Sequence, residues 1–184
     1  MRKLKSTLVA IVILITAFLG TAKGFRKSFP KRYLDSIERY SREYHVDPLL
    51  VLSVIKVESD FDPKAVSSKG AMGLMQIMDS TANWISKRMG ISNYTQEMLL
   101  IPDNNIKLGV WYLSWLYDKY QDIDLVIVAY NGGTGNLDKW LKESTLSSDG
   151  QKLDRIPFEE TDNYLLKVKF THKIYKFLNW VDLF

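Results

Sequence analysis

The chain has 184 residues, 46% of them hydrophobic and 12% aromatic, which is enough for one domain with an apolar core. It contains no cysteine, so a disulfide scaffold, a thiol nucleophile and a thiolate metal site are excluded. The formal net charge is +4, but residues 1–32 carry eight basic and no acidic side chains, whereas the rest carries 17 basic and 21 acidic ones. The body of the chain is therefore mildly acidic, which argues against a nucleic-acid partner.

The N-terminus has the pattern of an export signal. A basic start, residues 2–5, precedes an apolar run at residues 8–19, and small residues follow at 20–22. The run is shorter than the roughly 20 apolar residues of a spanning helix, so both cleavage and retention in the membrane stay open. We expect residues 1–24 to be an export signal or membrane anchor, with anchoring favoured over secretion, and residues 25–32 to be a basic linker.

Residues 33–184 read as an all-α domain, because apolar residues recur at helical spacing between capping and breaking residues. Asp47 is predicted to cap a helix that begins at Pro48, and Asp79 and Asp103 are predicted to cap two more. The predicted helices cover residues 33–44, 49–57, 79–89, 103–120, 125–130, 137–141 and 159–180.

The segment at residues 125–130 is ambiguous from its composition. Its β-branched residues favour a strand, but no partner strand is predicted nearby. Asp122 or Asp124 can cap a helix here, and Gly132 and Gly133 can end it. We therefore predict a short buried helix.

Glu58 is the residue that points most directly to chemistry. It follows Leu49–Val57, which is apolar at almost every position, as in a helix buried on all sides. A carboxyl group beside apolar surface is disfavoured as an anion, so its pKa is expected to rise. A raised carboxyl pKa is what a general acid at a glycosidic oxygen needs.

Three separated segments carry a family resemblance. The first contains Glu58 and Ser67 and ends in Gly-Ala-Met-Gly-Leu-Met-Gln at residues 70–76; the others are Ala-Tyr-Asn-Gly-Gly at 129–133 and Pro-Phe-Glu-Glu-Thr-Asp-Asn-Tyr at 157–164. In order, spacing and residue type they resemble the soluble-lytic-transglycosylase (SLT) family of lysozyme-like murein enzymes. The resemblance covers roughly residues 34–181.

The resemblance implies an all-α lysozyme-like fold and an enzyme that cuts peptidoglycan. Such enzymes cleave the β-1,4 bond between N-acetylmuramic acid and N-acetylglucosamine without water and leave 1,6-anhydromuramoyl ends. No metal or cofactor is expected. Two departures from the family pattern are visible, since Asp79 stands where a proline is usual and Gly132 where an alanine is usual.

The same resemblance assigns roles to single residues. Glu58 matches the catalytic glutamate, Ser67 a serine near the sugar N-acetyl group, and Met75 and Gln76 a pair that lines the cleft. The full set of implied substrate-binding residues is Ser67, Met75, Gln76, Tyr130, Asn131, Glu160 and Tyr164. Most of the five tryptophans are expected in the core, and sugar stacking cannot be assigned to any of them from the sequence.

Two other functions stay open at this point. A hydrolytic muramidase on the same fold would use water and a second carboxylate, for which Asp60 and Asp62 are the candidates. A non-catalytic wall-binding module would keep the cleft without turnover, although the presence of Glu58 argues against it. In each case the partner is the peptidoglycan glycan strand.

Overall fold

The computed structural model describes residues 26–182, together with Gly20 and Gly24. The predicted signal or anchor therefore lies almost entirely outside the described residues and stays a prediction. Within the described part of the chain, no helix is both long and apolar enough to cross a membrane.

The described residues form a helical domain with one small hairpin, as the all-α prediction requires. The helices and strands are α1 Leu34–Tyr44, α2 Pro48–Ser59, β1 Ala71–Met72, β2 Ile77–Met78, α3 Asp79–Arg88, a 3₁₀ helix Gln96–Leu100, α4 Pro102–Tyr120, α5 Ile123–Gly132, α6 Thr134–Trp140 and α7 Glu159–Val181. The antiparallel pair, in which Ala71 faces Met78 and Met72 faces Ile77, was not predicted.

Helix α2 lies at the centre of the domain, as its uniform apolarity predicts. Residues 50–55 are all buried, and the helix packs against α7 and α1. Asp47 caps it by accepting a hydrogen bond of 2.8 Å from the backbone N–H of Leu49. The helix ends sharply because Asp60 and Phe61 both have positive φ, at 52° and 65°. This ending places the last turn, with Glu58, where the chain turns out of the core.

The predicted caps Asp79 and Asp103 are wrong by one or two positions. Asp79 is the first residue of α3, and its carboxylate accepts a hydrogen bond of 2.8 Å from the hydroxyl of Tyr94. Asp103 lies in the first turn of α4 and accepts from the hydroxyls of Ser36 at 2.7 Å and Tyr40 at 2.8 Å. A carboxylate in the first turn still interacts favourably with the helix dipole. Because neither side chain caps its own helix, each can bond to a hydroxyl group of another element.

The short buried helix predicted at residues 125–130, where the composition also allowed a strand, is confirmed as α5. The carboxylate of Asp122 caps it by accepting from the backbone N–H groups of Asp124 at 2.8 Å and Leu125 at 3.1 Å. Residues 125–129 are buried, and Gly133 ends the helix with φ of 81°. Helix α5 packs against α4 and α7, and its last turn contacts the hairpin turn through Tyr130 and Met75.

The predicted basic linker lies along the C-terminal half of α7. Arg26 and Lys31 both form ion pairs with Asp182, at 2.7 and 2.6 Å. The hydroxyl of Tyr175 donates a hydrogen bond of 2.9 Å to the backbone carbonyl of Pro30. The described part of the linker is thus held against the domain.

Candidate active site

Glu58 lies in the last turn of α2 and is partly buried. Burial raises its pKa from the ordinary value to about 7, and the negative charge of Glu160 acts in the same direction. The hydroxyl of Tyr164 acts the other way and favours the carboxylate. A carboxyl group with this pKa can both give and accept a proton near neutral pH.

Tyr164 is the polar neighbour that faces Glu58. Its hydroxyl is buried on α7, and burial together with the charge of Glu58 keeps its pKa well above the ordinary value, so it stays protonated. Among the described residues this hydroxyl has no hydrogen-bond partner at full geometry, so its contact with Glu58 is a loose one. A buried hydroxyl without a good partner is costly, and a small movement of the carboxylate toward it would remove that cost.

Tyr130 reaches the same region from the last turn of α5. Its hydroxyl donates a hydrogen bond of 2.8 Å to the backbone carbonyl of Met75. Burial and the charge of Glu58 raise its pKa well above the ordinary value. Because its one proton is used, Tyr130 does not donate a hydrogen bond to Glu58, and its effect on that carboxyl group is indirect.

The resemblance implied that the side chain of Met75 lines the cleft, but the structure places it in the core. The side chain is fully buried, and its sulfur would lie 2.3 Å from a Cβ placed on Gly109. Its contribution to the site is made by the backbone, because its carbonyl accepts from Tyr130 and its N–H donates to Asn105 at 2.8 Å.

Asn105 is a supporting residue that sequence reasoning missed. Its carboxamide is fully buried in α4, accepts from Met75 N–H and donates to the carbonyls of Met72 and Leu99, both at 2.9 Å. It therefore fixes the hairpin backbone on both sides of Leu74. The available signal was an asparagine beside Ile106 on the face of α4 that is otherwise apolar.

Ser67 restrains the loop that precedes the hairpin, and Gln76 ties the hairpin turn to that loop. The hydroxyl of Ser67 accepts from the backbone N–H of Ala71 at 3.0 Å, and among the described residues it donates to no protein group. The side-chain amide of Gln76 donates to the carbonyls of Ala65 at 3.0 Å and Gly73 at 2.9 Å. Within the described part of the chain, each keeps one polar function without a partner, the hydroxyl proton of Ser67 and the amide oxygen of Gln76.

Glu160 and Asn131 join α7 to the rest of the site. Glu160 is exposed and forms an ion pair of 2.8 Å with Lys69, which brings the loop of Ser67 to the start of α7. Asn131 accepts a hydrogen bond of 2.8 Å from the hydroxyl of Thr161 and so fixes the end of α5 against the same turn.

A cleft of about 200 Å³ opens beside these residues. Its walls come from the hairpin and α3 on one side and from α4 and the end of α5 on the other. The lining residues are Gln76, Ile77, Met78, Thr81, Tyr112, Tyr130, Asn131, Gly132 and Gly133. Tyr130 belongs both to this cleft and to the surroundings of Glu58, so three predicted substrate-binding residues line a cavity that adjoins the carboxyl group.

The described residues contain no group of three or more histidine or acidic side chains that could hold a metal ion. The arrangement instead offers one carboxyl group with a raised pKa, neutral tyrosine hydroxyls and amide groups. Such a set is suited to proton transfer at an oxygen atom of an uncharged substrate.

Comparison with known proteins identifies the family. The transglycosylase SLT domain matches residues 35–152, which is well over half of the chain. The chain belongs to this family. The predicted family assignment is therefore confirmed, and with it the lysozyme-like all-α fold.

Relatives of this SLT chain include soluble and membrane-bound enzymes. It is 35% identical over 143 residues to the soluble lytic murein transglycosylase of Salmonella typhimurium, covering 76% of this chain and 22% of that protein. It is 34% identical over 172 residues to the membrane-bound lytic murein transglycosylase C of Photorhabdus laumondii, covering 78% and 46%. The SLT chain thus spans less than half the length of either relative.

Two solved structures share the fold of this SLT chain. The 70 kDa soluble lytic transglycosylase of Escherichia coli superposes with a TM-score of 0.74 at 30% identity, over 83% of this chain and 25% of that one. An inactive Glu-to-Gln mutant of the lytic transglycosylase Slt from Pseudomonas aeruginosa gives 0.71 at 30% identity, over 82% and 25%.

Proposed function

We propose that the chain is a peptidoglycan lytic transglycosylase. It cleaves the β-1,4 bond between N-acetylmuramic acid and N-acetylglucosamine and leaves a 1,6-anhydromuramoyl end. The observation that carries this proposal is Glu58, a carboxyl group whose pKa burial raises to about 7. Tyr130, whose pKa the charge of Glu58 also raises, lines the neighbouring cleft of about 200 Å³. The names of its relatives, lytic murein transglycosylases, support the same substrate and reaction.

In the first step Glu58 acts as the general acid. Because its pKa is raised to about 7, a large fraction is protonated at neutral pH and can give its proton to the glycosidic oxygen. The bond between that oxygen and the anomeric carbon of the muramoyl sugar then breaks, and the acetamido oxygen of the same sugar stabilises the positive centre. The hydroxyl of Tyr164 faces the carboxylate that remains and stabilises it.

In the second step the same carboxylate acts as the base. It takes the proton of the muramoyl C6 hydroxyl, and the C6 oxygen forms a bond to the anomeric carbon, which closes the anhydro ring. Glu58 ends protonated, as it began, and no water is consumed. One carboxyl group is enough for this sequence, whereas most glycosidases need two.

The two candidate second carboxylates are engaged elsewhere. Asp60 is 73% exposed and pairs with Lys56. The carboxylate of Asp62 accepts a hydrogen bond of 2.9 Å from the backbone N–H of Lys64 and so stabilises a turn. Neither arrangement favours activation of a water molecule opposite Glu58, which supports transglycosylation over hydrolysis.

The proposed substrate requires a location outside the cytoplasmic membrane. We propose that residues 1–24 direct export and retain the protein at the membrane, that 25–32 serve as a linker and that 33–184 form the catalytic domain. Fractionation with intact-mass measurement tests this proposal. A mature chain that begins near Lys23 and is found free in the medium would contradict anchoring and leave the enzymatic proposal intact.

The mass of the released muropeptides tests the reaction itself. The full chain is incubated with purified peptidoglycan, and the soluble products are compared with those of a hydrolytic muramidase. Anhydro products, lighter by one water than the hydrolytic ones, are expected from the wild-type chain and none from Glu58→Gln. Hydrolytic products would contradict the transglycosylase proposal, and a folded wild-type chain that binds peptidoglycan without releasing products would indicate a binding module.

A further inference from the structure

The outer side of α7 carries a stripe of large apolar side chains. Its members, which follow one another at helical spacing, are Leu166, Phe170, Phe177 and Trp180. Leu166, Phe170 and Trp180 are 59%, 63% and 53% exposed, and Phe177 is partly buried. Helix α7 packs on α2 and α5 with its other side, where Val168 and Tyr175 are buried. We call the four outer residues the α7 stripe.

Positive charge accompanies the α7 stripe. Residues 163–181 contain no aspartate or glutamate but four lysines, which are Lys167, Lys169, Lys173 and Lys176. Lys169 is paired with Asp124, whereas within residues 26–182 neither Lys167 nor Lys173 forms an ion pair. Because residues 33–184 carry 17 basic and 21 acidic side chains, this surface is locally positive on a domain that is acidic as a whole.

This combination of side chains suits the surface of a lipid bilayer. Leucine and phenylalanine enter the boundary between headgroups and acyl chains, and tryptophan lies at the level of the headgroups. Lysine lays its apolar stem along the same surface and places its ammonium among anionic phosphates. An acidic wall polymer could pair with Lys167 and Lys173, but it offers no apolar phase to Leu166 and Phe170.

The N-terminal linker leads the chain to the end of the α7 stripe. Arg26 and Lys31 both pair with Asp182, two residues beyond Trp180. Arg26 also lies two residues after the segment 1–24, which we propose to retain the protein at the membrane. An anchor that ends at residue 24 would therefore hold the C-terminal end of α7 at the bilayer surface.

A second copy of this chain fits the α7 stripe less well. In a two-fold dimer the same surface of each copy would meet the other. Lys173 lies three residues after Phe170 and four before Phe177, so it is on the same side of the helix as they are. Two such lysines would approach each other in the dimer without an acidic partner on α7 between residues 163 and 181.

We propose that the α7 stripe rests on the extracytoplasmic surface of the membrane, with Leu166, Phe170 and Trp180 among the lipid headgroups and Lys167 and Lys173 on anionic lipid phosphates. This inference rests on the proposed export and retention of the chain. It adds that the catalytic domain itself touches the bilayer, beyond any contact that the N-terminal segment makes.

The test measures how close the α7 stripe lies to lipid. The chain has no cysteine, so Leu166→Cys gives a single site for a fluorophore. The full labelled chain is reconstituted into phosphatidylcholine vesicles that carry a quencher on the lipid headgroup, with or without about 30% phosphatidylglycerol. Quenching should be at least about threefold stronger with phosphatidylglycerol, and about 0.5 M salt should reverse most of the increase.

A label on another exposed apolar position provides the matched control. Ile101 is 50% exposed and precedes α4, outside the two helices on which α7 packs. The full chain labelled at Ile101→Cys should show no increase in quenching with phosphatidylglycerol. Since both labelled chains carry the same N-terminal segment, a difference between them reports the orientation of the domain and not its attachment.

Substitutions separate the apolar contribution from the charge. In the chain labelled at Leu166→Cys, Phe170→Ser should lower the quenching about two- to threefold, and Lys173→Gln should halve its increase with phosphatidylglycerol, to about 50%. Lys87→Gln removes the same charge from an exposed position in the last turn of α3 and should change neither value. Melting temperatures check that the variants fold, and Lys173→Gln keeps the test decisive if Phe170→Ser does not fold.

Four results would overturn the proposal. The label at Leu166→Cys could be quenched no more than that at Ile101→Cys, its quenching could be the same with and without phosphatidylglycerol, or Lys173→Gln and Lys87→Gln could have equal effects. A signal that rises with the ratio of protein to lipid, and not with phosphatidylglycerol, would assign the α7 stripe to a second copy instead. Flotation with phosphatidylcholine vesicles reports the N-terminal anchor and muropeptide release reports the reaction, so failure of either is distinguishable from failure of the α7 stripe.

Discussion

The hydroxyl group of Tyr130 donates a hydrogen bond of 2.8 Å to the backbone carbonyl of Met75. This bond joins the last turn of α5 to the hairpin and fixes the part of the cleft wall that Tyr130 forms. Replacing Tyr130 with Phe removes the donor and leaves a buried carbonyl without it, so we expect the free energy of unfolding to fall by about 1–2 kcal/mol. Turnover should fall less than in Glu58→Gln, because the phenol takes no proton. Urea unfolding and muropeptide release measure the two effects.

Tyr112→Phe is the matched control for this prediction. Its ring contacts that of Tyr130, but within the described residues its hydroxyl makes no hydrogen bond. We expect little change in stability from this substitution. Equal destabilisation of the two variants would mean that the bond between Tyr130 and Met75 contributes nothing specific.

Gly73 and Gly70 should respond differently to alanine. Both have positive φ, 76° and 86°, so each substitution costs about 1–2 kcal/mol of backbone strain. A Cβ on Gly73 would also lie 2.1 Å from the carbonyl oxygen of Leu99 and 2.4 Å from the side-chain nitrogen of Asn105, whereas one on Gly70 meets nothing within 4 Å. Gly73→Ala should therefore disrupt the hairpin, lower the melting temperature much more than Gly70→Ala and abolish turnover. Similar melting temperatures for the two variants would contradict this account.

The helices were predictable because their signals are local. The apolar run of α2 and the Asp47 cap act within one or two turns, and the structure has both as predicted. Of the two predicted alternatives for the cap of α5, Asp122 and Asp124, the structure uses Asp122. The capping predictions for Asp79 and Asp103 were wrong because the carboxylates of these residues bond to hydroxyl groups that are distant in sequence. A cap can be read from neighbours in sequence, but a tertiary partner cannot.

The site was predictable only in part for the same reason. The sequence identified Glu58 and the segments around it, since their order and spacing are a family signature. It assigned Met75 to the cleft surface, because a sequence does not say which way a side chain turns; the structure places that side chain in the core. Asn105 was missed because its role depends on helix α4 meeting the hairpin.

The rate of cleavage should fall as pH rises through about 7, where burial places the pKa of Glu58. Only the protonated carboxyl group can act as the general acid, so the falling limb of kcat/KM reports its pKa in the free enzyme. Glu160→Gln removes a charge that raises this pKa, and should move the limb to lower pH. Tyr164→Phe removes the hydroxyl that lowers it, and should move the limb to higher pH.

Glu159→Gln serves as the control for these shifts. Glu159 also lies in the first turn of α7, but it is not among the groups that shift the pKa of Glu58. The pairing of Glu160 with Lys69 reduces the expected effect of Glu160→Gln without changing its direction. A limb that moves equally in Glu159→Gln and Glu160→Gln would point to net charge as the cause, and a limb that moves the same way in Glu160→Gln and Tyr164→Phe would contradict the assigned causes.

The buried carboxyl group should also make the domain less stable as pH rises, independently of turnover. The pKa of Glu58 is about 7 in the folded chain and about 4.5 when it is exposed, so the folded state binds the proton more tightly. The stabilisation that comes from this proton is complete below pH 4.5 and is lost as pH rises through 7. For a partly shielded group, the free energy of unfolding should fall by about 1–3 kcal/mol over this range. The difference in unfolding free energy between wild type and Glu58→Gln, measured in urea at pH 5 and pH 8, should shift by that amount in favour of the Gln variant at pH 8. Because both proteins share every other titrating group, a difference that is constant with pH would show that Glu58 is not held in an environment that disfavours its anion.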